Sequence, residues 1–461
     1  MRKILFTFAV ALLACVAAGA QEKEEQYNQY GVKVDIDPLS AEAQDGILVL
    51  RSKNDSGYKI WLDNRVQVDG AGYFGNQEWS EELSNGFSVR RARFAVKAQI
   101  DKNWYGEVDM DMANGMFELK DAIIRYTGLE HFQFQVGNFK EIFSLQRNNS
   151  SRYLQFIERP MVCSALAPSR HLGFNANYYN KGVFLNLGIL GQEIAGSEER
   201  GYVEESSKAK APDEGLTYTF KAVYQPGWNK TDWGMHIGAA ASYRNPKTSD
   251  ETFGKMRYSC RNSTNISRKK FIDTGDFAFD HYIRYTGELA GYWKGFRGEA
   301  VYIGNTTYLP DNGGTKMFSG WYVQGGYLLF GGTQRYDNAG AKFTRVKRGQ
   351  KWGDVELCAR VEYIDLNADK ALAASDQKIM GGSAWAYAAG LNYYINDHVK
   401  VQLNYQFNDN DRFASGKGNK FYCGVDDSGK ATKDPYKVNG KNSGNPGINF
   451  HMIAMRFEID F

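Results

Sequence analysis

Charged residues recur at every second position in several segments of this 461-residue chain, and that spacing is where its chemistry can lie. Arg91, Arg93 and Lys97 share one face of an extended segment, and Glu107, Asp109 and Asp111 share one face of the next. Asp63, Arg65, Gln67 and Asp69 come before them, and Asp121 and Arg125 after. Extended backbone sends successive side chains to opposite faces. Each charged set therefore points one way, while Ile60, Leu62, Val66 and Val68, or Ala92, Phe94 and Val96, point the other. A basic row beside an acidic one, backed by apolar residues, suits a hydrated lumen whose local field sorts ions. The spacing also fits pairs that bond across strands and stiffen a wall. No H-E-x-x-H, G-x-S-x-G or P-loop pattern occurs, and the six histidines are scattered, so no catalytic, metal or cofactor site is expected.

Export precedes any such role. Met1-Arg2-Lys3, the apolar run from Ile4 to Val16 and Ala18-Gly19-Ala20 have the order of a secretory signal peptide cleaved after Ala20. Leu12-Leu13-Ala14-Cys15 loosely resembles a lipoprotein box, but the Ala-x-Ala site is the cleaner match. The chain has 56 basic and 53 acidic residues; Arg2 and Lys3 leave with the leader, so 54 face 53. That balance lacks the basic excess of a nucleic-acid binder. Cys163, Cys260, Cys358 and Cys423 show no metal-ligand spacing. Cys260 and Cys423 both fall in expected outer loops, where a disulfide can form.

The residues above need strands to hold them. Beyond the leader no run is long and apolar enough for a spanning helix, yet 28 Phe, 29 Tyr and 9 Trp are present. A membrane barrel has this composition, because only alternate strand residues face lipid and aromatics gather at both interfaces. Alternation predicts about sixteen strands near 58–70, 87–100, 103–112, 118–128, 131–139, 172–179, 182–191, 216–225, 232–244, 284–293, 296–304, 319–330, 353–366, 381–395, 398–408 and 448–461. Tight turns such as Asp101-Lys102, Asn180-Lys181 and Asn396-Asp397 alternate with long polar loops, as short periplasmic turns alternate with long outer loops. Segment 331–352 is the exception: it is long where a short turn is expected. The reading is all-β, a transmembrane antiparallel barrel over 58–461, behind a signal peptide (1–20) and a periplasmic segment (21–57). Its place is the outer membrane of a Gram-negative bacterium, in contact with lipid.

The third outer loop, 140–171, carries Phe143, Leu145, Tyr153, Phe156 and Ile157, which need burial. Folding it into the lumen supplies burial worth about 2 kcal/mol per side chain, and brings Lys140, Arg147, Arg152 and Arg159 into the pore. A loop lying over the mouth or at a subunit contact would also bury them. The predicted lining is Arg65, Arg91, Arg93, Asp109, Asp111, Asp121, Arg125, Lys140, Arg147 and Arg152. A passive channel for small anions or polar solutes follows. The alternative is an adhesive or structural barrel whose loops 245–283 and 409–447 bind a partner.

With these residues in view, the chain resembles the phosphate-selective porin O and P family. The likeness runs through Gly46-Ile47-Leu48-Val49-Leu50-Arg51-Ser52, Asn64-Arg65-Val66-Gln67-Val68-Asp69 and Arg90-Arg91-Ala92-Arg93-Phe94. It continues through Glu118-Leu119-Lys120-Asp121-Ala122-Ile123-Ile124-Arg125-Tyr126, Val136-Gly137-Asn138-Phe139-Lys140 and Ser150 to Arg159. The resemblance implies a homotrimer of sixteen-stranded barrels with the third loop folded inward and basic residues guiding anions, phosphate among them. It implies a constriction lysine at Lys140 and an acidic partner at Asp109 or Asp111. Ile142 and Gln146-Arg147-Asn148-Asn149 depart from the family's pattern.

Overall fold

Sixteen strands follow from the alternation, and hydrogen bonding closes them into one barrel. The structure, a computed structural model, describes residues 26–34, 37–44, 46–75, 83–191, 193–194, 215–245, 254–311, 313–368, 379–411, 424–434, 437, 439 and 448–461. The expected signal peptide and Cys423 lie outside them; Cys260 is a buried free thiol. The barrel strands are β1 (Arg65–Phe74), β2 (Gly86–Gln99), β3 (Trp104–Asp111), β4 (Glu118–Tyr126), β5 (Phe132–Lys140), β6 (Arg170–Asn180), β7 (Val183–Leu190) and β8 (Leu216–Tyr224). They continue with β9 (Trp233–Asn245), β10 (His281–Trp293), β11 (Phe296–Tyr308), β12 (Thr315–Leu328), β13 (Asp354–Ala368), β14 (Ile379–Tyr394), β15 (Val399–Asp411) and β16 (Ile448–Asp460). Every neighbouring pair is antiparallel, and β16 closes on β1 with Asp460 opposite Arg65 and His451 opposite Phe74.

The outer face is apolar, as lipid demands. Ile453, Met455, Phe457 and Ile459 are exposed on β16, while Arg456 and Glu458 between them are buried. Trp104, Phe132, Tyr224, Trp233, Trp293, Phe296 and Tyr327 stand exposed beside the short turns and form an aromatic girdle. Several strands run further outward than alternation predicts: β11 continues through Asn305-Thr306-Thr307-Tyr308, and β1 reaches Phe74. Above the lipid an outward side chain need not be apolar, so the pattern fades before the hydrogen bonding does.

Two of the β-bulges, in β2 and β4, alter which residues reach the lumen. Gln67 pairs with Arg91 but Val68 pairs with Val89, so Arg90 is an extra residue in β2. Asp109 pairs with Asp121 and Met110 with Leu119, which makes Lys120 extra in β4. A bulged strand re-aims its extra side chain. Close approach of β4 and β5 depends on Gly137, whose φ is +123° and where a Cβ would stand 1.9 Å from the Ala122 carbonyl oxygen.

Ahead of the barrel, strands Leu39–Gln44, Ile47–Ser52 and Lys59–Leu62 extend the same sheet from the periplasmic end of β2. The segment expected as one strand over 58–70 is thus two, broken at Asp63-Asn64. Cross-strand partners share a face, so Ala41 with Leu50 and Ala43 with Leu48 form an apolar face that is exposed at Leu39 and Leu48.

Candidate functional site

Only part of the lumen is open. Loop 141–169 lies inside the barrel, with Phe143, Leu145, Phe156, Ile157, Met161 and Leu166 buried. The connection between β9 and β10 also turns inward: Tyr258, Ile272 and Phe279 pack with Met161, Val162 and Leu166 against Ile303 and Ile364 of the wall. Residues expected in a solvated outer loop therefore form part of the core. Their apolar side chains are the reason, although Arg268 does stay exposed.

The extended stretch of the loop is gripped by its backbone. Lys400 Nζ donates to the Arg152 carbonyl (2.6 Å), Arg297 to Tyr153 (3.1 Å), Gln402 to Leu154 (3.2 Å) and Asn392 to Gln155 (2.9 Å). Arg456 donates to the Ile157 carbonyl (2.6 Å) and Arg360 to that of Glu158 (3.0 Å). In return Asn404 accepts from the Ile157 N–H (3.0 Å). The polar face of β15, which alternation assigns to the lumen, holds a loop there rather than water. Burial by itself would raise the Glu158 carboxyl, but the Arg90 and Arg91 guanidiniums hold it well below the usual carboxylate range. Arg90 Nε donates to it at 2.5 Å.

On the opposite side a cavity of about 540 Å³ lies between β1–β7 and the loop. All ten residues proposed from the sequence line it: Arg65, Arg91, Arg93, Asp109, Asp111, Asp121, Arg125, Lys140, Arg147 and Arg152. Among the described residues thirteen basic and six acidic side chains line it, so its charge is far from the balance of the whole chain.

Both arrangements that the spacing allows occur together. Arg93 bonds Asp109 (2.8 Å) and Asp111 (3.3 Å), Lys97 bonds Asp63 (2.5 Å), and Arg170 grips Asp121 through two nitrogens (3.0 and 2.8 Å). Arg152 bridges Asp63 and Asp460. These pairs build the wall. A second set, Arg65, Arg91, Arg125, Lys140 and Arg159, has no carboxylate within 4.0 Å among the described residues. Arg65 reaches only Ser150 (3.5 Å), Arg91 bonds the Gln67 amide oxygen (2.6 Å), and Arg125 that of Gln135 (3.0 and 2.8 Å). Lys140 and Arg159 donate only to loop carbonyls. Arg147 donates to the carbonyls of Cys163 (3.0 Å) and Ser164 (3.2 Å). Backbone and amide oxygens orient a cation without cancelling its charge.

Glu107, Asp109 and Asp121 bring carboxylate oxygens within 4.8 Å of one another, the spacing of a metal site. Lys97, Arg93 and Arg170 already balance their charge, which leaves little attraction for a further cation.

Several lining residues escaped the sequence. Arg90 and Lys120 reach the cavity because each is the extra residue of a bulge, and strict alternation turns both outward. Arg170 begins β6 just ahead of the expected strand start at 172. Asp337 and Lys342 come from segment 331–352, whose unusual length was the one signal. That segment forms a short hairpin, Tyr336-Asp337 against Lys342-Phe343, inserted into the lumen from the periplasmic end.

Comparison with known proteins agrees with this architecture. A family model described as phosphate-selective porin O and P matches residues 61–420. An uncharacterized protein of Caulobacter vibrioides is 26% identical over 331 residues, covering 70% of this chain and 63% of that protein, so the chain spans less than two thirds of that relative. Porin O of Pseudomonas aeruginosa is 23% identical over 393 residues, covering 79% of this chain and 86% of its own. The outer-membrane expressed OmpT of Vibrio cholerae superposes with a TM-score of 0.50 at 11% identity, over 89% of this chain and 99% of that one.

Proposed function

Because the chain belongs to the phosphate-selective porin O and P family, we propose that its lumen is a water-filled path through the outer membrane that favours small anions, oxyanions such as phosphate among them. One observation carries the preference: Arg65, Arg91, Arg125, Lys140 and Arg159 face one cavity with no carboxylate within 4.0 Å among the described residues. Guanidinium groups suit oxyanions, since their planar N–H fork matches two oxygens at once. The paired residues, Arg93 with Asp109 and Arg170 with Asp121, keep the wall rigid around that set.

On this reading the polypeptide is a passive conduit and not an enzyme, and three copies assemble side by side. The exposed apolar face of Leu39, Ala41, Ala43, Leu48 and Leu50 supports the assembly, since a second copy would cover it. Planar-bilayer recordings under a potassium chloride gradient test the channel. A reversal potential on the anion side is expected, with inorganic phosphate reducing chloride current. Absence of conductance, or a cation-side reversal potential, rejects the reading. The mass of the detergent-solubilised protein tests the trimer; a monomeric mass rejects it.

A further inference from the structure

The inserted hairpin and the constriction loop enter from opposite ends of the barrel, and they meet. Asn148 Nδ2 donates to the Gly340 carbonyl (2.7 Å) and the Ala341 carbonyl (3.3 Å). The Phe343 N–H donates to Asn149 Oδ1 (2.9 Å). The backbone carbonyl of that same Asn149 accepts from Lys140 Nζ (3.2 Å) and from Arg159 Nη2 (3.0 Å). One fully buried residue thus has its side chain tied to the periplasmic hairpin and its carbonyl shared by two cavity cations.

The hairpin tip is itself fixed. Ala341 is buried with Phe184 and Val223 of the wall. The Arg297 guanidinium lies 3.8 Å from the Phe343 ring centre, and Tyr336 Oη bonds His236 Nδ1 at 2.6 Å. A displacement of the hairpin is therefore a displacement of Asn149.

We infer that Asn149 is a positioning residue for ion selectivity, transmitting the placement of the Tyr336–Phe343 hairpin to the Lys140 ammonium and the Arg159 guanidinium. A lysine ammonium rides on a flexible four-carbon stem with many rotamers, and a bond to an immobile carbonyl selects among them. Coulomb energy falls inversely with distance and is strong where dielectric is low. A shift of about an ångström in either cation therefore changes how firmly the cavity holds an anion. Asn149 does not itself line the cavity; it acts through the two cations. The periplasmic end of the protein thereby sets a property of the cavity.

The inference rests on the anion-channel reading, and a double-mutant cycle separates the two. Asn149→Leu, Lys140→Gln and the double variant are compared by reversal potential in bilayers, with heat-induced unfolding followed in parallel. Each single change is expected to lower the anion-over-cation permeability ratio by roughly two- to five-fold, and the double no further than the larger single, because contacting groups are not additive. Should Asn149→Leu fail to assemble, Asn148→Ala removes only the bonds to the hairpin carbonyls and is read the same way. An unchanged ratio in the asparagine variant, or effects that multiply in the double, overturns the inference. An unsubstituted protein without anion preference overturns the channel reading instead.

Discussion

Glu288→Leu is expected to cost about 3–5 kcal/mol of stability and to enlarge the conductance. Glu288 on β10 and Lys221 on β8 pair at 2.6 Å with both side chains fully buried. Glu288 also accepts from the Leu145 N–H (2.5 Å) and lies 3.0 Å from His236 Nε2, while Lys221 donates to the Phe143 carbonyl (3.0 Å). Removing the carboxylate strands an ammonium in the core and unfastens the start of the constriction loop. Lys221→Met combined with Glu288→Leu is expected to recover most of the loss, because apolar replacements of similar volume are often neutral where a lone buried charge is not. Denaturant unfolding of the detergent-solubilised protein measures the first effect, and single-channel recording the second. A single variant as stable as the unsubstituted protein would show that the pair is already compensated by water.

The largest effect on permeation is expected from which cations are neutralised, not how many. Arg65→Gln, Arg91→Gln and Lys140→Gln together remove three charges that have no carboxylate within 4.0 Å among the described residues. The anion preference should fall by roughly an order of magnitude, with the unfolding midpoint little moved, since each lost charge alters lumenal ion energies by about 0.5 kcal/mol across about 8 Å of water. Arg93→Gln, Lys97→Gln and Arg170→Gln remove the same number but release Asp109, Asp111, Glu107 and Asp121 from their partners. That triple is expected to carry the reversal potential to the cation side and to lower the unfolding temperature. Equal reversal potentials for the two triples would falsify the division of the lining into a structural and a conducting set.

The strands were legible because lipid imposes a strict rule: Ile453, Met455, Phe457 and Ile459 must be apolar, and Arg456 and Glu458 must not face outward. The lining was legible by the same parity, which is why Arg91 and Arg93 were found. It failed where parity is broken, at Arg90 and Lys120, because a bulge leaves no mark in composition. Strand ends beyond the lipid were short for a related reason, as Asn305 to Tyr308 obey no outward rule. That loop 140–171 turns inward was legible from its apolar residues, but what holds it there was not. Gln402 and Asn404 look the same in a sequence whether they bind water or the backbone of Leu154 and Ile157. The inserted hairpin showed only as an anomaly of length, since nothing local in Tyr336 to Phe343 says which way it folds.

The grip on the constriction loop falls on its carbonyls, from Arg152 through Glu158, and a carbonyl is the one group every amino acid supplies. Those bonds hold the course of the backbone, while the buried Leu154, Phe156 and Ile157 and the ion pairs of Arg152 and Glu158 hold the side chains. Six side chains of the wall make that grip: Arg297, Arg360, Asn392, Lys400, Gln402 and Arg456. On the proposed reading, substitutions among the cavity cations can change the solute while these six donors keep the loop in place.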